Sequence, residues 1–200
     1  MPADLNAGMM PDFILPNTLR ELRAMIPEDR YLSIVEDDLS DEYLRVKLKE
    51  LEWLAEVSSD PILLTIHSEG GHLGRARDIS KFLRTTEVPV IGVAARHCYS
   101  SALLILLGCK YRVASSSATF LVHNPVVRFA FEINGSVTRA KLHTLVDSAF
   151  DHFESEQRVV RDLVSSCSFL EQDKVFEIMN KGEILSAQTA LEYGFLDKVY

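Results

Sequence analysis

From Tyr31 onward the chain alternates short apolar runs with amphipathic stretches. Tyr31–Val35 predicts a first strand. Ser40 is a good N-cap, with Asp41 and Glu42 in the first turn, where the positive end of a helix favours anions. Leu44, Leu48, Leu51 and Leu54 then recur at helical spacing until Ser58-Ser59-Asp60-Pro61 stops the segment. Residues 62–66 are almost wholly apolar, as in a strand buried on both faces. Gly70-Gly71 leads into a second helix marked by Leu73, Ala76, Ile79 and Phe82. The cycle repeats with an apolar strand over 88–94, a polar break, and an apolar helix over 100–107. Two more strands are predicted at 111–114 and 119–122. A long helix follows from 137 to about 165, with Leu142, Leu145, Ala149, Phe153 and Val160 on one side. Shorter helices over 170–179 and 187–193 precede a closing segment at 195–199. This alternation predicts right-handed βαβ crossovers and an α/β fold with a mainly parallel sheet.

Residues 1–29 hold four of the seven prolines and read as a flexible N-terminal arm with no part in the core before Pro27. No linker divides residues 30–200, which are expected to form one domain. The chain has 200 residues with 47% apolar and 25% charged positions, an ordinary globular composition. Its formal charge of −8 disfavours a broad nucleic-acid surface. Its longest nearly apolar stretch, residues 102–107, is far below the ~20 residues of a membrane helix. No basic region leads into an apolar run at the N-terminus, so no secretory signal is read there. The three cysteines, Cys98, Cys109 and Cys167, lack ligand or disulfide spacing; no metal and no cofactor are expected, and a cytoplasmic location is the default.

Ligands of such sheets bind at the carboxyl ends of the strands, and two loops there carry chemistry. In His67-Ser68-Glu69-Gly70-Gly71 the paired glycines let main-chain N–H groups approach an oxyanion or an extended peptide closely, or simply make a tight turn. In the second loop, Ser100 heads a buried helix. Its hydroxyl is either an N-cap or a nucleophile, and a nucleophile needs a base. His123 ends the 119–122 strand on the same rim, as a base or as a hydrogen-bonded structural residue. Cys98 lies before the helix with no group to lower its pKa.

Together these pieces resemble the proteolytic subunit of the Clp protease, a ring-forming serine peptidase of the crotonase-like ββα spiral fold. Ile66-His67-Ser68-Glu69-Gly70-Gly71 is similar to the family's glycine loop. Ser100-Ser101-Ala102 with Gly108 and Arg112 is similar to its nucleophile helix and next strand, and residues 120–125 to its histidine segment. Leu185-Ser186-Ala187, Ala190, Glu192-Tyr193-Gly194 and Asp197 match its C-terminal helix. The resemblance implies a helix/strand handle protruding from the spiral. It implies Ser100 as nucleophile and His123 as base, with the N–H groups of Gly71 and Ser101 as oxyanion hole and Glu69, Gly70 and Pro125 against substrate. It also implies a homo-oligomeric ring, possibly stacked, that cleaves polypeptide delivered by a Clp-type ATPase, so that ATP is the partner's cofactor.

Three departures stand out. Gly182 occupies the position of the family's triad aspartate, leaving the adjacent Glu183, or the more distant Asp173, to orient His123. Glu69 replaces a proline. The stretch from His123 to Ser186 is longer than the family's, and 128–135 alternates like an edge strand closed by an Asn-Gly turn; its Phe129, Phe131 and Ile133 would invite pairing with another copy. The short spacing from Ser100 to Gly108 also leaves Ser101 as a rival nucleophile. Two other readings stay open: a catalytically impaired ring subunit acting as scaffold, and an acyl-CoA hydratase/isomerase of the same fold.

Overall fold

The computed structural model describes residues 13–126 and 138–200; the expected 128–135 edge strand and its apolar side chains lie outside them. Helix α1 (Leu19–Ala24) precedes strand β1 (Tyr31–Val35). Helix α2 (Asp41–Val57), capped by the Ser40 side chain, leads to β2 (Ile62–Ser68) and α3 (Leu73–Thr85). Strand β3 (Val90–Tyr99) runs straight into α4 (Ser101–Gly108), followed by β4 (Tyr111–Ala114) and β5 (Thr119–Leu121). Then come α5 (Arg139–Ser166), α6 (Gln172–Lys181), β6 (Leu185–Ser186), α7 (Ala187–Glu192) and β7 (Lys198–Val199).

The main sheet has the order β1-β2-β3-β4-β7, every pair parallel. Strand β3 changes neighbours along its length: Ile91–Ala94 pair with β4, whereas His97–Tyr99 pair with β5, which in turn pairs antiparallel with β6. The polar stretch at Arg96 and His97, read as a break, is therefore a bulge. Ile66 pairs with Ala94 but Ser68 with Cys98, so β3 takes up two extra residues and continues. That continuation carries the chain to Ser100.

The alternation along β2 and β3 sorts their side chains onto two cores. Ile62, Leu64, Ile66, Val90 and Ala94 face the larger one, which α2, α3 and the wholly buried α4 complete. Leu63, Ile91, Val93 and, on β4, Val113 face the other side, where Leu22 and Ile26 cover them. This corrects the expectation that nothing before Pro27 enters the core. A sheet apolar on both faces must be covered on both, and α1 is that cover. A capping box between Thr18 and Glu21 closes α1 at its start, and Pro16 O accepts hydrogen bonds from Lys198 Nζ at 2.6 Å and Tyr200 Oη at 3.1 Å.

Helix α5 divides in two. Val160 and Val164 are buried, while Leu145, Val146 and Phe150 are exposed. Along the apolar side expected from Leu142 to Val160, Val160 is buried, Leu142, Ala149 and Phe153 are half-buried and Leu145 is exposed. Arg77 on α3 holds the helix through Glu156, 3.1 Å from Nη1 to each carboxylate oxygen. Arg112 and Asp197, both part of the family resemblance, tie β4 to the C-terminal segment, Arg112 N donating to Asp197 Oδ2 at 2.7 Å; Arg112 Nη1 also donates to Cys167 O, at the end of α5, at 2.6 Å.

Candidate active site

Ser100 stands at the junction of β3 and α4 with φ 53° and ψ −124°, and it is the only non-glycine with positive φ among the described residues. Such a conformation is strained for a side chain bearing Cβ, and it persists because both flanks are fixed. Ser100 N donates to Leu121 O at 2.7 Å, and Ser100 O accepts from Leu103 N at 3.1 Å as the first carbonyl of α4. The sharp turn lifts the hydroxyl out of the line of the helix instead of folding it back as a cap, and no side-chain cap bond forms. Ser101, the rival nucleophile, is buried in the first turn of α4 and its Oγ has no partner.

The glycine loop packs directly behind this turn. Gly70 has φ 106°, and a Cβ built on it would lie 2.8 Å from Ser100 Cβ and 2.9 Å from Tyr99 O. Gly71 pairs with Leu39: Leu39 N donates to Gly70 O at 2.8 Å and His72 N to Leu39 O at 2.7 Å. In a parallel bridge those two bonds use the groups flanking Gly71, so the N–H of Gly71 itself points the other way. A Cβ at Gly71 would collide with the Leu39 backbone; only glycine permits this approach. Ser68 Oγ, buried, accepts from Gly70 N at 3.0 Å and fixes the loop from beneath.

A cavity of about 290 Å³ lies in front of Ser100, bounded by Gly71, Ser101, Val122, His123 and Pro125, with Leu73, Leu104, Val126 and Val160 supplying apolar walls. Ser100 and His123 thus share one cavity, as do Gly71, Ser101 and Pro125. Gly70 lies behind the turn. Glu69 is exposed, its Oε1 3.6 Å from His97 Nε2, and it does not line the cavity. His72 also lines the cavity; its Nδ1 accepts from Arg75 N at 3.2 Å and so caps α3.

His123 Nδ1 lies 2.6 Å from Asn124 O. A carbonyl can only accept, so Nδ1 carries the proton and the Nε2 lone pair is left free, the tautomer a general base requires. Ser100 Oγ and His123 are not hydrogen-bonded to each other in this structure. Glu183 is exposed and acts on the charge of Lys181, whose pKa it helps to raise behind the larger effect of Glu177. Among the described residues no carboxylate, Glu183 and Asp173 included, bonds to His123. Gly182 lies beside it, its built Cβ 4.0 Å from His123 Cβ. It ends α6 in the left-handed conformation, φ 59°, where glycine is the favoured C-terminal residue.

The neighbouring groups are tuned by burial. His67 lies against His97 in a tilted contact, ring centroids 4.0 Å apart. Desolvation pulls its pKa below the usual histidine value, and the charges of His97 and Arg96 add to this. Burial raises the Cys98 thiol strongly and pushes Cys109 up to about 12. Neither sulfur is poised as a nucleophile.

The family model for Clp protease matches residues 19–200. The chain belongs to the Clp protease family. An ATP-dependent Clp protease proteolytic subunit from Paracoccus denitrificans is 30% identical over 177 residues, 83% of this chain and 79% of that one. ATP-dependent Clp protease proteolytic subunit 2 of Treponema pallidum is 26% identical over 143 residues, covering 70% and 67%. The solved structure of a point mutant of ClpP1 from Listeria monocytogenes superposes with a TM-score of 0.74 at 16% identity, over 91% of this chain and 96% of that one, which establishes the ββα spiral with its mainly parallel sheet. The chain is accordingly a Clp-family serine peptidase, of the ATP-dependent endopeptidase type, in a family whose members form oligomeric rings and work with Clp ATPases. The scaffold and acyl-CoA readings are not favoured. No helix among the described residues is long and apolar enough to cross a membrane.

Proposed function

We propose that Ser100 and His123 are the nucleophile and general base of this peptidase, and that Gly71 N–H and Ser101 N–H receive the oxyanion. The observation that carries this reading is the strained turn at Ser100, which opens onto the same cavity as His123. The serine oxygen bonds to the scissile carbonyl carbon as its proton passes to His123 Nε2. The carbonyl π-electrons move to the oxygen, where the two N–H groups and the start of α4 stabilise the charge. Collapse breaks the C–N bond, and the proton goes from His123 to the leaving amine. Water then repeats the sequence and releases the acyl group. Contact between Ser100 and His123 tightens when substrate closes the cavity. In the cell the chain acts in the cytoplasm on polypeptide inside a ring of its own copies, fed by a Clp-type ATPase.

The cavity walls make the residue before the cleaved bond apolar. Burying a charge between Leu73, Leu104 and Val160 is unfavourable. Fluorogenic peptides with leucine or methionine there are expected to show kcat/KM at least about 10-fold above those with aspartate or lysine. Equal rates for both sets, abolished together by Ser100→Ala, would place the specificity elsewhere. No hydrolysis of any peptide would favour the scaffold reading.

A further inference from the structure

The Clp-family position for an acid is vacant here, yet the His123 ring is held. We propose that the main-chain carbonyl of Asn124, clamped through its side chain by Gln157 and Asn180, orients His123 in place of a carboxylate. This rests on the reading of His123 as the base.

Asn124 spends both ends of its side-chain amide on the clamp. Its Nδ2 donates to Asn180 Oδ1 at 2.8 Å, and its Oδ1 accepts from Gln157 Nε2 at 2.8 Å. Gln157 belongs to α5 and Asn180 to the last turn of α6, so two helices fix one side chain from different directions. Asn124 is also the residue before Pro125, which restricts its backbone. The carbonyl is thereby held 2.6 Å from His123 Nδ1 by contacts independent of the ring. A carboxylate would supply the same tautomer control together with a full negative charge against the imidazolium formed during reaction. The carbonyl supplies the first and only a dipole's share of the second. Asn124 and its two partners are positioning residues, and the chain works as a serine–histidine dyad slower than a triad on the same frame.

Gly182 gives the reciprocal experiment. Its built Cβ stands 4.0 Å from His123 Cβ, and aspartate is among the few residues that tolerate the left-handed conformation found there. Gly182→Asp therefore brings a carboxylate beside His123 without the clamp.

The full-length chain is compared with Asn124→Ala, Asn180→Ala and the double variant Asn124→Ala/Gly182→Asp. Peptide hydrolysis is measured alongside nitrogen-15 spectra of histidine-labelled protein, the His123 signals being assigned by their absence in His123→Gln. Asn124→Ala is expected to lower kcat by about 10- to 100-fold, the usual cost of a misplaced catalytic group, with KM within about twofold. The neutral His123 ring is expected to gain the Nε2–H tautomer. Asn180→Ala, which leaves the Gln157 arm, loses less, and the double variant regains at least about 10-fold in kcat over Asn124→Ala. An unchanged tautomer in Asn124→Ala overturns the proposal, whether kcat holds or falls together with thermal stability. If the wild type hydrolyses nothing, the assignment of His123 as base falls, and the tautomer still decides whether the clamp orients the ring.

Discussion

Ser100→Ala is expected to leave peptide hydrolysis at least about 10⁴-fold below the wild type, since what remains without the nucleophile is binding and the oxyanion donors alone. The size of the loss follows from what the turn does. At φ 53° Ser100 presents its oxygen to the cavity that holds His123, and no neighbouring hydroxyl can replace it. Ser101 is one residue further on, but it is buried in the first turn of α4 and its Oγ is enclosed. Ser101→Ala therefore keeps most of the activity, because its contribution is the main-chain N–H, which alanine retains. Initial rates on one fluorogenic peptide, with circular dichroism to verify folding, separate the two serines. Activity that survives in Ser100→Ala and disappears in Ser101→Ala would reverse their roles.

The second large effect is expected at Gly70, which packs directly behind the Ser100 turn. A methyl group there would sit 2.8 Å from Ser100 Cβ and 2.9 Å from Tyr99 O, on a backbone at φ 106°. The conformation alone is essentially reserved for glycine and costs about 1–3 kcal/mol for another residue. The neighbours it would strike are the strained turn itself and the strand end that feeds it, neither free to move. Gly70→Ala should lower the thermal midpoint and shift the Ser100 hydroxyl by enough to lose about 10²-fold in kcat/KM. Thermal melts and hydrolysis rates on the same preparation read both. A variant with wild-type stability and turnover would mean that the glycine loop does not brace the nucleophile.

Much of this architecture could be read from the chain. Strand β1, the Ser40 cap of α2, strand β4 and the glycine pair behave as their local patterns require. Ser100 and His123 were legible because a strand end followed by a buried helix or by a histidine constrains where a side chain points. The misreadings have a common origin in long-range pairing. Nothing near Arg96 indicates that β3 bulges and continues, because the partner that sustains it, β5, lies some twenty residues further along. Leu22 and Ile26 looked like part of a loose arm because their proline-rich surroundings are local, whereas their partners Leu63, Ile91 and Val93 are distant. The two-faced apolar run at 62–66 held that signal, since it demands a second cover. The partner of His123 could not be read by matching residue types, because it is a main-chain carbonyl, and every residue has one.

The most direct test of the Ser100–His123 account is where a fluorophosphonate forms its covalent bond. With intact protein, digestion and mass spectrometry should find one phosphonyl adduct, on the Ser100 oxygen, and His123→Ala should form it far more slowly. An adduct on another residue, or none on a folded wild-type chain, would contradict the account.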